Sequence, residues 1–545
     1  MRFLTFILLF TICGVGLAQY DIDRQLIEKC LPKLPENSPG YIVSIVEKGE
    51  VVFQKSAGKI EMSSKATIDT QTTFDVASLA KQFTATGILL LAEQGKLKLD
   101  DKITDYLPLF PKIRTTITIN HLLGHSSGIR SYLALLELQG KLRSKYITKK
   151  QFWKDLRNQK NLSFYPGDAY AYNNTGYVLL AEIIENVALM DFQVFMEKYI
   201  FQPLEMNNTS FGSPGKGTLA QSYKWTDGKA KKVHNKKETV GDGSLFTTME
   251  DFLKWDKNFQ QNILGKRKQD FFETMERSYT LNNGRKSHYG KGVFVKRFAD
   301  FRLIEHSGNW DHYYSQHSRF PDLNLSVIVF SNSNLVDARA ITENICSVII
   351  TDKRTVQNSK PFDPKLLKEK AFEGYYVDLH TKSSVRKVFE IDGNIFYVIP
   401  TPFGKVDYQL KWPGLNPDKS ISFISDGGGR INFAMNADST ASMFYWENSP
   451  GIYSRLKPEA GLNSADSLLV GKYYNDELDM KIRIRETSED NQLRVKIGFF
   501  KSKKLERLDK NFFWVPKNNL IFEFTEENLF FHADRASNIR FERIK

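Results

Sequence analysis

A serine and a lysine three positions apart, in Ser78-Leu79-Ala80-Lys81, are the first residues of this sequence that could do chemistry together. Residues three apart share one face of a helix, so the Lys81 amine can approach the Ser78 hydroxyl. A serine hydroxyl is a weak nucleophile unless a proton acceptor lies beside it, and a lysine removed from water can lose its proton near neutral pH. The pair is therefore a candidate for nucleophilic catalysis, although such a pair also occurs by chance on exposed helices.

A second group, Tyr172-Asn173-Asn174, follows Pro166-Gly167 and precedes an apolar helical stretch. The Tyr172 phenol is able to relay a proton between a nucleophile and a leaving group. The Asn174 amide is able to hold a lysine ammonium and a substrate carbonyl at once. Considered alone, these residues would ordinarily be interpreted as a core tyrosine and a turn asparagine.

A third group, His306-Ser307-Gly308-Asn309, ends a predicted strand. We expect His306 beside the nucleophile as a hydrogen-bond donor to substrate or to Tyr172, and we expect Gly308 to let a substrate backbone approach closely. The backbone N–H groups of Ser78 and Asn309 would together form an oxyanion hole. A lone histidine on a strand is more often structural, so this interpretation depends on the other two groups.

The three groups lie in one region of the chain, with predicted strands near both of its ends and predicted helices between them. These elements must position the residues of the three groups. This arrangement indicates an α+β domain. The predicted helices are Tyr20–Leu34, Phe74–Glu93 with Gly95 as its C-cap, Ile119–Leu123, Tyr177–Val187 and Ala338–Ile350, and the predicted strands are Tyr41–Val46, Val51–Phe53, Leu303–His306 and Leu325–Phe330.

The order and spacing of the three groups resemble the serine β-lactamase and penicillin-binding protein family, with S-x-x-K, then Y-x-N, then a strand carrying [KH]-[ST]-G. The resemblance covers about Asp23 to Ile350 and is strongest to the class C β-lactamase and D-stereospecific peptidase or esterase branch. The connecting segments that resemble this family are Ile117–Ile129, Phe201–Met206 and Asp242–Thr248.

The resemblance implies an antiparallel sheet with a helical subdomain and an acyl-enzyme mechanism. Ser78 would attack a carbonyl, Lys81 and Tyr172 would shuttle its proton, Asn174 and His306 would position the groups, and water would release the acyl group. Whether Lys81 or Tyr172 is the base for acylation stays open. The expected function is an exported serine hydrolase of small amides, peptides or esters, including D-amino-acid cell-wall peptides. The alternative is a β-lactam- or peptidoglycan-binding sensor with little turnover.

One residue departs from the pattern of many β-lactamases, which have lysine where this chain has His306. The permanent charge of lysine helps to bind a substrate carboxylate, whereas a histidine titrates near neutral pH. The departure favours D-aminopeptidase-like, D-Ala-carboxypeptidase-like or esterase activity over efficient β-lactam hydrolysis.

The character of the sequence changes after the catalytic region, at a polar, proline-containing linker over residues 353–365. Short alternating strands then dominate and predict one or two small all-β, barrel-like domains. The segments Glu373-Gly374-Tyr375-Tyr376 and Gly471-Lys472-Tyr473-Tyr474 repeat one pattern, which favours two units. The predicted organisation is a leader over 1–18, a catalytic domain over 19–352, a first β-domain over 366–457 and a second over 465–545.

Residues 1–18 have the pattern of a cleaved signal peptide, with Arg2, an apolar run over Leu4–Val15 and small residues at Gly16 and Ala18. The apolar run is shorter than the roughly 18–20 residues of a spanning helix, which makes a membrane anchor the weaker alternative. We therefore expect a secreted or periplasmic protein without a transmembrane segment after leader removal.

The formal net charge of +13 favours acidic partners. The chain has no dense Lys/Arg block, so we expect a small-molecule or peptide substrate, including peptidoglycan fragments, and no nucleic acid. His121 and His125 have the spacing of zinc ligands on a helix, but no glutamate lies between them, and we expect no metal and no cofactor. Cys30 and Cys346 remain after leader removal, either as a disulfide or as two separate buried thiols.

Overall fold

The computed structural model describes residues 23–544 except 143–145, 216, 234–235, 266–269, 299–300, 351–359, 362–370, 392–393, 402–403, 417–419, 426–429, 439, 447–451, 457–468, 488–491, 499–500, 517–518 and 526–527. The expected signal peptide and most of the expected linker lie outside the described residues. Within the described part of the chain, no helix combines the length and apolar character needed to cross a membrane.

The main sheet has six antiparallel strands, and in sheet order these are Phe294–Phe298, Phe301–Trp310, Tyr313–Phe320, Leu325–Ser331, Tyr41–Glu47 and Glu50–Ala57. The strands predicted at Tyr41–Val46 and Val51–Phe53 are confirmed, and they pair as an antiparallel hairpin. Its two-residue turn has positive φ at Lys48 (52°) and Gly49 (83°), the backbone that joins twisted antiparallel strands without splaying them. The strands predicted at Leu303 and Leu325 are confirmed and extend a few residues further.

Helices cover both faces of this sheet, because successive strand residues point to opposite sides. Ile42 and Phe330 pack into a large core with the helical region, whereas Val43 and Val329 pack against the first and last helices. The α-helices are Arg24–Lys29, Ala80–Glu93, Ile119–Leu123, Tyr132–Leu138, Lys149–Asn158, Asn174–Ala188, Phe192–Met196, Met249–Gln261, Asp270–Glu276 and Ala338–Ile349, the 3₁₀ turns are Ala77–Leu79, Ile103–Asp105 and Pro321–Leu323, and a π turn spans Glu197–Phe201.

Short strands connect these helices in three small sheets. They are Thr73–Asp75 with Leu245–Thr248 and Ser210–Phe211, Tyr146–Ile147 with Lys236–Lys237, and Tyr223–Thr226 with Lys229–Lys232.

Two predicted helices differ clearly from the observed ones, and the helix predicted from Tyr177 begins three residues earlier, at Asn174. The helix expected from Phe74 begins at Ala80, because Thr73–Asp75 pairs as a strand with Leu245–Thr248. The helix expected over residues 20–34 spans only Arg24–Lys29 of the described residues. The C-cap of the helix Ala80–Glu93 is Gln94 and not the predicted Gly95, which follows it with a φ of 72° that a glycine adopts without steric cost. Neither cysteine forms a disulfide: Cys346 is a buried free thiol and Cys30 a partly buried one.

The C-terminal region forms two all-β sheets. In the first, eight strands close into an up-and-down barrel, because each pairs with the next and the last pairs with the first. The strands of this first barrel are Gly374–Asp378, Val385–Ile391, Asn394–Thr401, Gly404–Leu415, Ile421–Ser425, Arg430–Met435, Ala441–Trp446 and Ile452–Arg455. Residues Lys360–Pro361, expected in the linker, instead form a short strand beside Gly404–Leu415.

The second sheet repeats this order and is nearly closed. The strands at its two edges are Lys503–Lys504 and Glu506–Arg507. Only Leu505 separates these two edge strands along the chain, so the two edges lie close together. The strands of this second barrel are Gly471–Asn475, Met480–Glu486, Leu493–Ile497, Lys503–Lys504, Glu506–Arg507, Phe512–Val515, Leu520–Phe524, Asn528–Ala533 and Ala536–Ile544.

The two barrels share the same opening contacts, which agrees with the repeated sequence pattern. The Tyr376 hydroxyl donates a 2.8 Å hydrogen bond to the carbonyl of Phe372. The Tyr473 hydroxyl donates a 2.7 Å hydrogen bond to the carbonyl of Leu469 in the same way. In both barrels an arginine from the last strand packs over the first glycine, Arg455 over Gly374 and Arg543 over Gly471.

Candidate active site

Ser78 lies in a 3₁₀ turn immediately before the helix Ala80–Glu93 and is partly exposed. The preceding residue, Ala77, has a left-handed φ of 49°, a conformation that costs about 1–2 kcal/mol in a residue with a Cβ. The side chain of Asp75 stabilises this turn by accepting a 2.8 Å hydrogen bond from the Ala77 N–H. The turn thereby presents the Ser78 hydroxyl outward from a buried segment.

Lys81 follows one turn later and is fully buried. Its Nζ lies 3.1 Å from the Ser78 Oγ and donates a 2.6 Å hydrogen bond to the backbone carbonyl of Asp242. Burial, opposed by the Asp242 carboxylate and assisted by Lys237, holds the Lys81 pKa well below its usual range. A neutral amine in this position can accept the serine proton while still donating to Asp242.

The Asp242 side chain, close to Lys81, connects the strand that carries Lys237 with the helix that carries Tyr132. Its carboxylate accepts a 2.7 Å hydrogen bond from Lys237 and a 3.0 Å hydrogen bond from the Tyr132 hydroxyl. The Asp242 and Lys237 side chains are almost fully buried. This network holds the Asp242 backbone where it meets Lys81 and places two further charges near the amine.

Tyr172 lies on the other side of Ser78. Its phenol lies near enough to the Ser78 hydroxyl for that hydroxyl to lower the Tyr172 pKa, and its ring centroid is 4.9 Å from the Lys81 Nζ. Burial is the main cause of a raised Tyr172 pKa, only partly offset by the contacts to Ser78 and Arg535. The structure thus brings the hydroxyl, the amine and the phenol expected from the sequence into one cluster.

His306 is buried, and both of its ring nitrogens are hydrogen-bonded within the chain. Nδ1 donates to the carbonyl of Ser307 at 2.7 Å, so Nε2 is the acceptor for the Tyr289 hydroxyl at 3.0 Å. Burial is the main cause that lowers the His306 pKa to about 3, and any positive charge on Lys81 lowers it further. The expectation that this residue titrates near neutral pH is therefore wrong, because its position excludes water. Its ring centroid lies 5.9 Å from that of Tyr172.

The strand that carries His306 packs directly against the nucleophile turn. At Gly308, an added Cβ would collide with the Val76 carbonyl and with the Ser315 Oγ. Ser315 also donates a 2.8 Å hydrogen bond to that carbonyl. Beyond Glu305 the described pairing of this strand is on one side only, and Asn309 is exposed at the unpaired edge. Backbone groups at this edge are available to a substrate.

Asn174 begins the helix Asn174–Ala188, two residues after Tyr172, and is buried. Its Oδ1 accepts no hydrogen bond from any described residue. A buried polar atom without a partner is costly, and at a functional site it is often satisfied by substrate.

The two histidines with zinc-ligand spacing have separate structural roles. His121 closes a capping box, accepting a 3.1 Å hydrogen bond from the Thr118 N–H. His125 accepts a 3.0 Å hydrogen bond from the Asn173 N–H and packs 4.4 Å from the Tyr172 ring, measured between centroids. No group of three metal-binding side chains occurs among the residues with described coordinates.

Sequence reasoning missed several residues of this cluster. Lys237, Tyr289 and Arg535 carry no motif, and each reaches the site from a distant element. Asp75 and Asp242 had weak signals: Asp75 stands three residues before Ser78, and Asp242 opens a segment that resembles the family.

Comparisons with known proteins agree with the fold. A family model described as Beta-lactamase matches residues 27–346. A penicillin-binding protein of Bacillus subtilis (strain 168) is 31% identical over 312 residues, covering 53% of this chain and 67% of that protein.

Two solved structures show the same fold. The octameric penicillin-binding protein homologue from Pyrococcus abyssi has a TM-score of 0.51 at 23% identity, covering 79% of this chain and 97% of that one. The D-stereospecific amidohydrolase from Streptomyces sp. has a TM-score of 0.50 at 21% identity, covering 59% of this chain and 98% of that one. Because the family match spans more than half of the chain and includes the Ser78, Lys81 and Tyr172 cluster, the protein belongs to the β-lactamase and penicillin-binding protein family of serine hydrolases.

Proposed function

We propose that this protein is an exported hydrolase that cleaves small amides, peptides or esters through an acyl-enzyme on Ser78. The observation that carries the proposal is the 3.1 Å contact between the Ser78 Oγ and the Nζ of Lys81, a lysine that is fully buried. A lysine with a lowered pKa beside a serine hydroxyl is an activated nucleophile pair.

In the acylation step the Ser78 Oγ attacks the substrate carbonyl carbon and its proton passes to Lys81 or Tyr172. The negative charge that develops on the carbonyl oxygen is stabilised by the backbone N–H groups of Ser78 and Asn309. The same proton is then delivered to the leaving amine or alcohol as the carbon–heteroatom bond breaks. The product is an ester between the acyl group and Ser78.

In the deacylation step water attacks this ester and regenerates the Ser78 hydroxyl. A base must accept a proton from the water, and the cluster offers the Lys81 amine and the Tyr172 phenol for this task. The raised pKa of Tyr172 keeps the phenol protonated at neutral pH, which supports Lys81 as the resting base and Tyr172 as a proton relay.

The residues expected to position the substrate, Asn174, Gly308 and Asn309, support a substrate that has backbone N–H and carbonyl groups beside the scissile amide or ester. The Oδ1 of Asn174 lacks an internal partner and would accept an N–H of the substrate. Gly308 and Asn309 lie on the strand edge where an extended peptide would run. Substrates with D-amino acids are within this proposal, and the name of the Bacillus relative makes a β-lactam a suitable probe.

Export is part of the proposal and is supported by the signal-peptide pattern of residues 1–18. Mass spectrometry of the secreted or periplasmic protein would test it. The expected result is a mature N-terminus just after Ala18, and retention of the full leader would contradict it.

The central test is covalent labelling by a fluorescent fluorophosphonate and by a fluorescent penicillin. We expect labelling of the wild type and none of Ser78→Ala. Ser347→Ala is the matched control, because Ser347 is exposed on the last helix of the catalytic region and bonds only to the carbonyl of Glu343. Equal labelling of wild type and Ser78→Ala would reject the nucleophile.

A panel of D-amino-acid amides, short esters and a chromogenic cephalosporin separates an enzyme from a sensor. Turnover of any of these that Ser78→Ala lacks supports the hydrolase. Slow covalent trapping without turnover of the panel would instead favour the binding sensor.

A further inference from the structure

The outer face of the second barrel carries cations at every outward position of two neighbouring strands. In the strands Met480–Glu486 and Leu493–Ile497, buried and exposed residues alternate, because successive side chains point to opposite faces of a sheet. The buried residues fill the barrel, and the outward ones are all basic. These outward residues are Lys481, Arg483, Arg485, Arg494 and Lys496.

The strand register arranges six exposed cations in two rows of three, which run across four neighbouring strands. The members of each row lie directly opposite one another, and we call the two rows together the cationic face. The first row is Lys472, Arg483 and Lys496, and the second row is Arg485, Arg494 and Lys504. Sheet geometry puts neighbours in a row about 5 Å apart and the two rows about 7 Å apart.

No described acid neutralises the cationic face. Its six residues form no ion pair with a described side chain. Glu486 lies at the end of one strand, and Glu542, on the neighbouring strand Ala536–Ile544, is paired with Arg540. Like charges directly opposite one another destabilise a sheet, and these lie within the screening length of about 10 Å in 0.1 M salt. A surface that serves only solubility mixes both signs, so this arrangement favours an anionic partner.

The first barrel has different side chains at the equivalent positions. Arg485 and Phe389 each directly follow the residue that pairs with the opening glycine of their barrel. Arg485 lies opposite Arg494, and Phe389 lies opposite Phe396. The two phenylalanine rings stack with their centroids 5.3 Å apart, an attractive pair. The barrel architecture therefore does not itself require cations at these positions.

The second barrel docks to the catalytic region through other residues. Arg130 forms a buried 2.6 Å ion pair with Glu477, and Gln139 donates a 3.2 Å hydrogen bond to the carbonyl of Leu478. Among the residues with described positions, no hydrogen bond or ion pair joins the cationic face to the catalytic region or to the first barrel. A partner bound to the cationic face would therefore leave the docking contacts intact and hold the catalytic region with the barrel.

We propose that the cationic face is a membrane-surface binding site, which holds the protein on a bilayer rich in anionic phospholipid. The six cations spread in two dimensions, over about 14 Å across the strands and about 7 Å along them, which suits a layer of headgroups better than a single linear polymer. An anionic bilayer strengthens binding about fivefold for each basic side chain at its surface, which corresponds to about 1 kcal/mol. This site is separate from Ser78, and the inference goes beyond the proposed hydrolysis.

The experiment measures co-sedimentation of the full chain with two kinds of vesicle. One contains equal parts of phosphatidylglycerol and phosphatidylcholine, and the other contains phosphatidylcholine alone. Soluble polyphosphate at the same phosphate concentration represents a linear polyanion. Binding is measured over a series of NaCl concentrations, because an electrostatic attachment weakens as salt screens the charges.

Two double variants test the cationic face. Arg485→Gln with Arg494→Gln removes one directly opposed pair, and Arg485→Lys with Arg494→Lys keeps both charges. The matched control is Arg540→Gln with Lys510→Gln, which removes the same charge from exposed positions of the same barrel outside the cationic face. Thermal unfolding and fluorophosphonate labelling of Ser78 are measured for every variant.

We expect the wild type to bind the anionic vesicles and not the neutral ones, with an affinity that falls as NaCl rises. The double glutamine variant of the cationic face should bind about 25-fold more weakly, at about fivefold for each cation. The double lysine variant and the control should retain most of the affinity. The unfolding temperature of the double glutamine variant should not fall, because the substitution removes a repulsion.

No binding of the wild type to anionic vesicles, or an equal loss in the control, would overturn the membrane site. Tighter binding to polyphosphate than to vesicles would overturn it in favour of a linear polyanion. Failure of the fluorophosphonate to label wild-type Ser78 would overturn the proposed function, whereas vesicle binding would still support this inference.

Discussion

Lys81 donates a 2.6 Å hydrogen bond to the backbone carbonyl of Asp242, whose own carboxylate is held by Lys237 at 2.7 Å. The proposed base is therefore connected through one residue to a buried ion pair. Burial and Lys237 lower the Lys81 pKa, and Asp242 raises it. The charge balance of this pair helps to set the pH at which Lys81 can accept a proton from Ser78.

Replacing Lys237 by methionine should move the acidic limb of the kcat/KM profile to higher pH. The substitution removes a cation that lowers the Lys81 pKa and leaves the Asp242 carboxylate, which raises it, without its partner. We expect a shift of about one pH unit, which corresponds to about 1.4 kcal/mol between the two protonation states. Lys237→Arg keeps the charge and should leave the limb in place. A shift to lower pH in Lys237→Met would contradict the arrangement.

Lys81→Arg should remove acylation although it preserves the positive charge. A guanidinium stays protonated in proteins, so the variant cannot accept the Ser78 proton. General base catalysis contributes about 10²–10⁴-fold, and we expect a loss of that order in the rate of ester hydrolysis. Lys55→Arg, at an exposed lysine paired with Glu28, is the control. Near-normal activity of Lys81→Arg would exclude Lys81 as the base and leave Tyr172.

His306 should remain neutral throughout the pH range in which the enzyme works. Its pKa is about 3 in the folded protein and near 6.5 in the unfolded chain, so only the unfolded state binds the proton between these values. The resulting contribution to the free energy of unfolding is complete above about pH 6.5 and is lost as the pH falls toward about 3.

Urea unfolding at pH 7 and pH 4.5 tests this linkage. His306→Gln should narrow the difference in the free energy of unfolding between the two pH values by about 2 kcal/mol. His380→Gln, at an exposed position of the first barrel, should leave the difference unchanged. An equal difference in wild type and His306→Gln would show that His306 titrates normally.

Gly308→Ala should damage the site by separating the strand from the nucleophile turn. The added methyl group would overlap the carbonyl of Val76, two residues before Ser78. Such overpacking costs about 1–3 kcal/mol, and a displacement of about 1 Å near reacting atoms can cost 10²-fold in rate. Thermal unfolding and labelling rates give the two effects. Gly215→Ala, on the surface, should leave the stability and the labelling rate unchanged. Full activity of Gly308→Ala would show that the strand need not lie so close to the nucleophile turn.

Glu477→Gln should loosen the second barrel from the catalytic region. It leaves the Arg130 cation buried without its 2.6 Å partner, which costs about 3–5 kcal/mol. Limited proteolysis and urea unfolding should both report the loss. Lys160→Gln removes an exposed pair with Asp476 at the same interface and should cost at most about 1 kcal/mol. Equal stability of both variants would mean that the Arg130 pair does not hold the barrel.

Much of the fold could be predicted because its signals are local. The hairpin at Gly49 and the alternating strands after residue 370 follow from turn residues and from a period of two. The start of the Ala80–Glu93 helix was misplaced for a tertiary reason: Phe74 has an apolar pattern that suits a helix, but pairing with Thr247 draws it into a strand.

By itself, the sequence determined which chemical groups are available: a serine and a lysine one helical turn apart, a tyrosine followed by an asparagine, and a strand with a glycine that tolerates close packing. These features depend on neighbours along the chain. The tertiary structure alone decided that His306 is neutral, that Asp242 and Lys237 set the environment of Lys81, and that Arg535 meets Tyr172. Burial and contacts between distant elements depend on how the elements pack, and no local pattern encodes either.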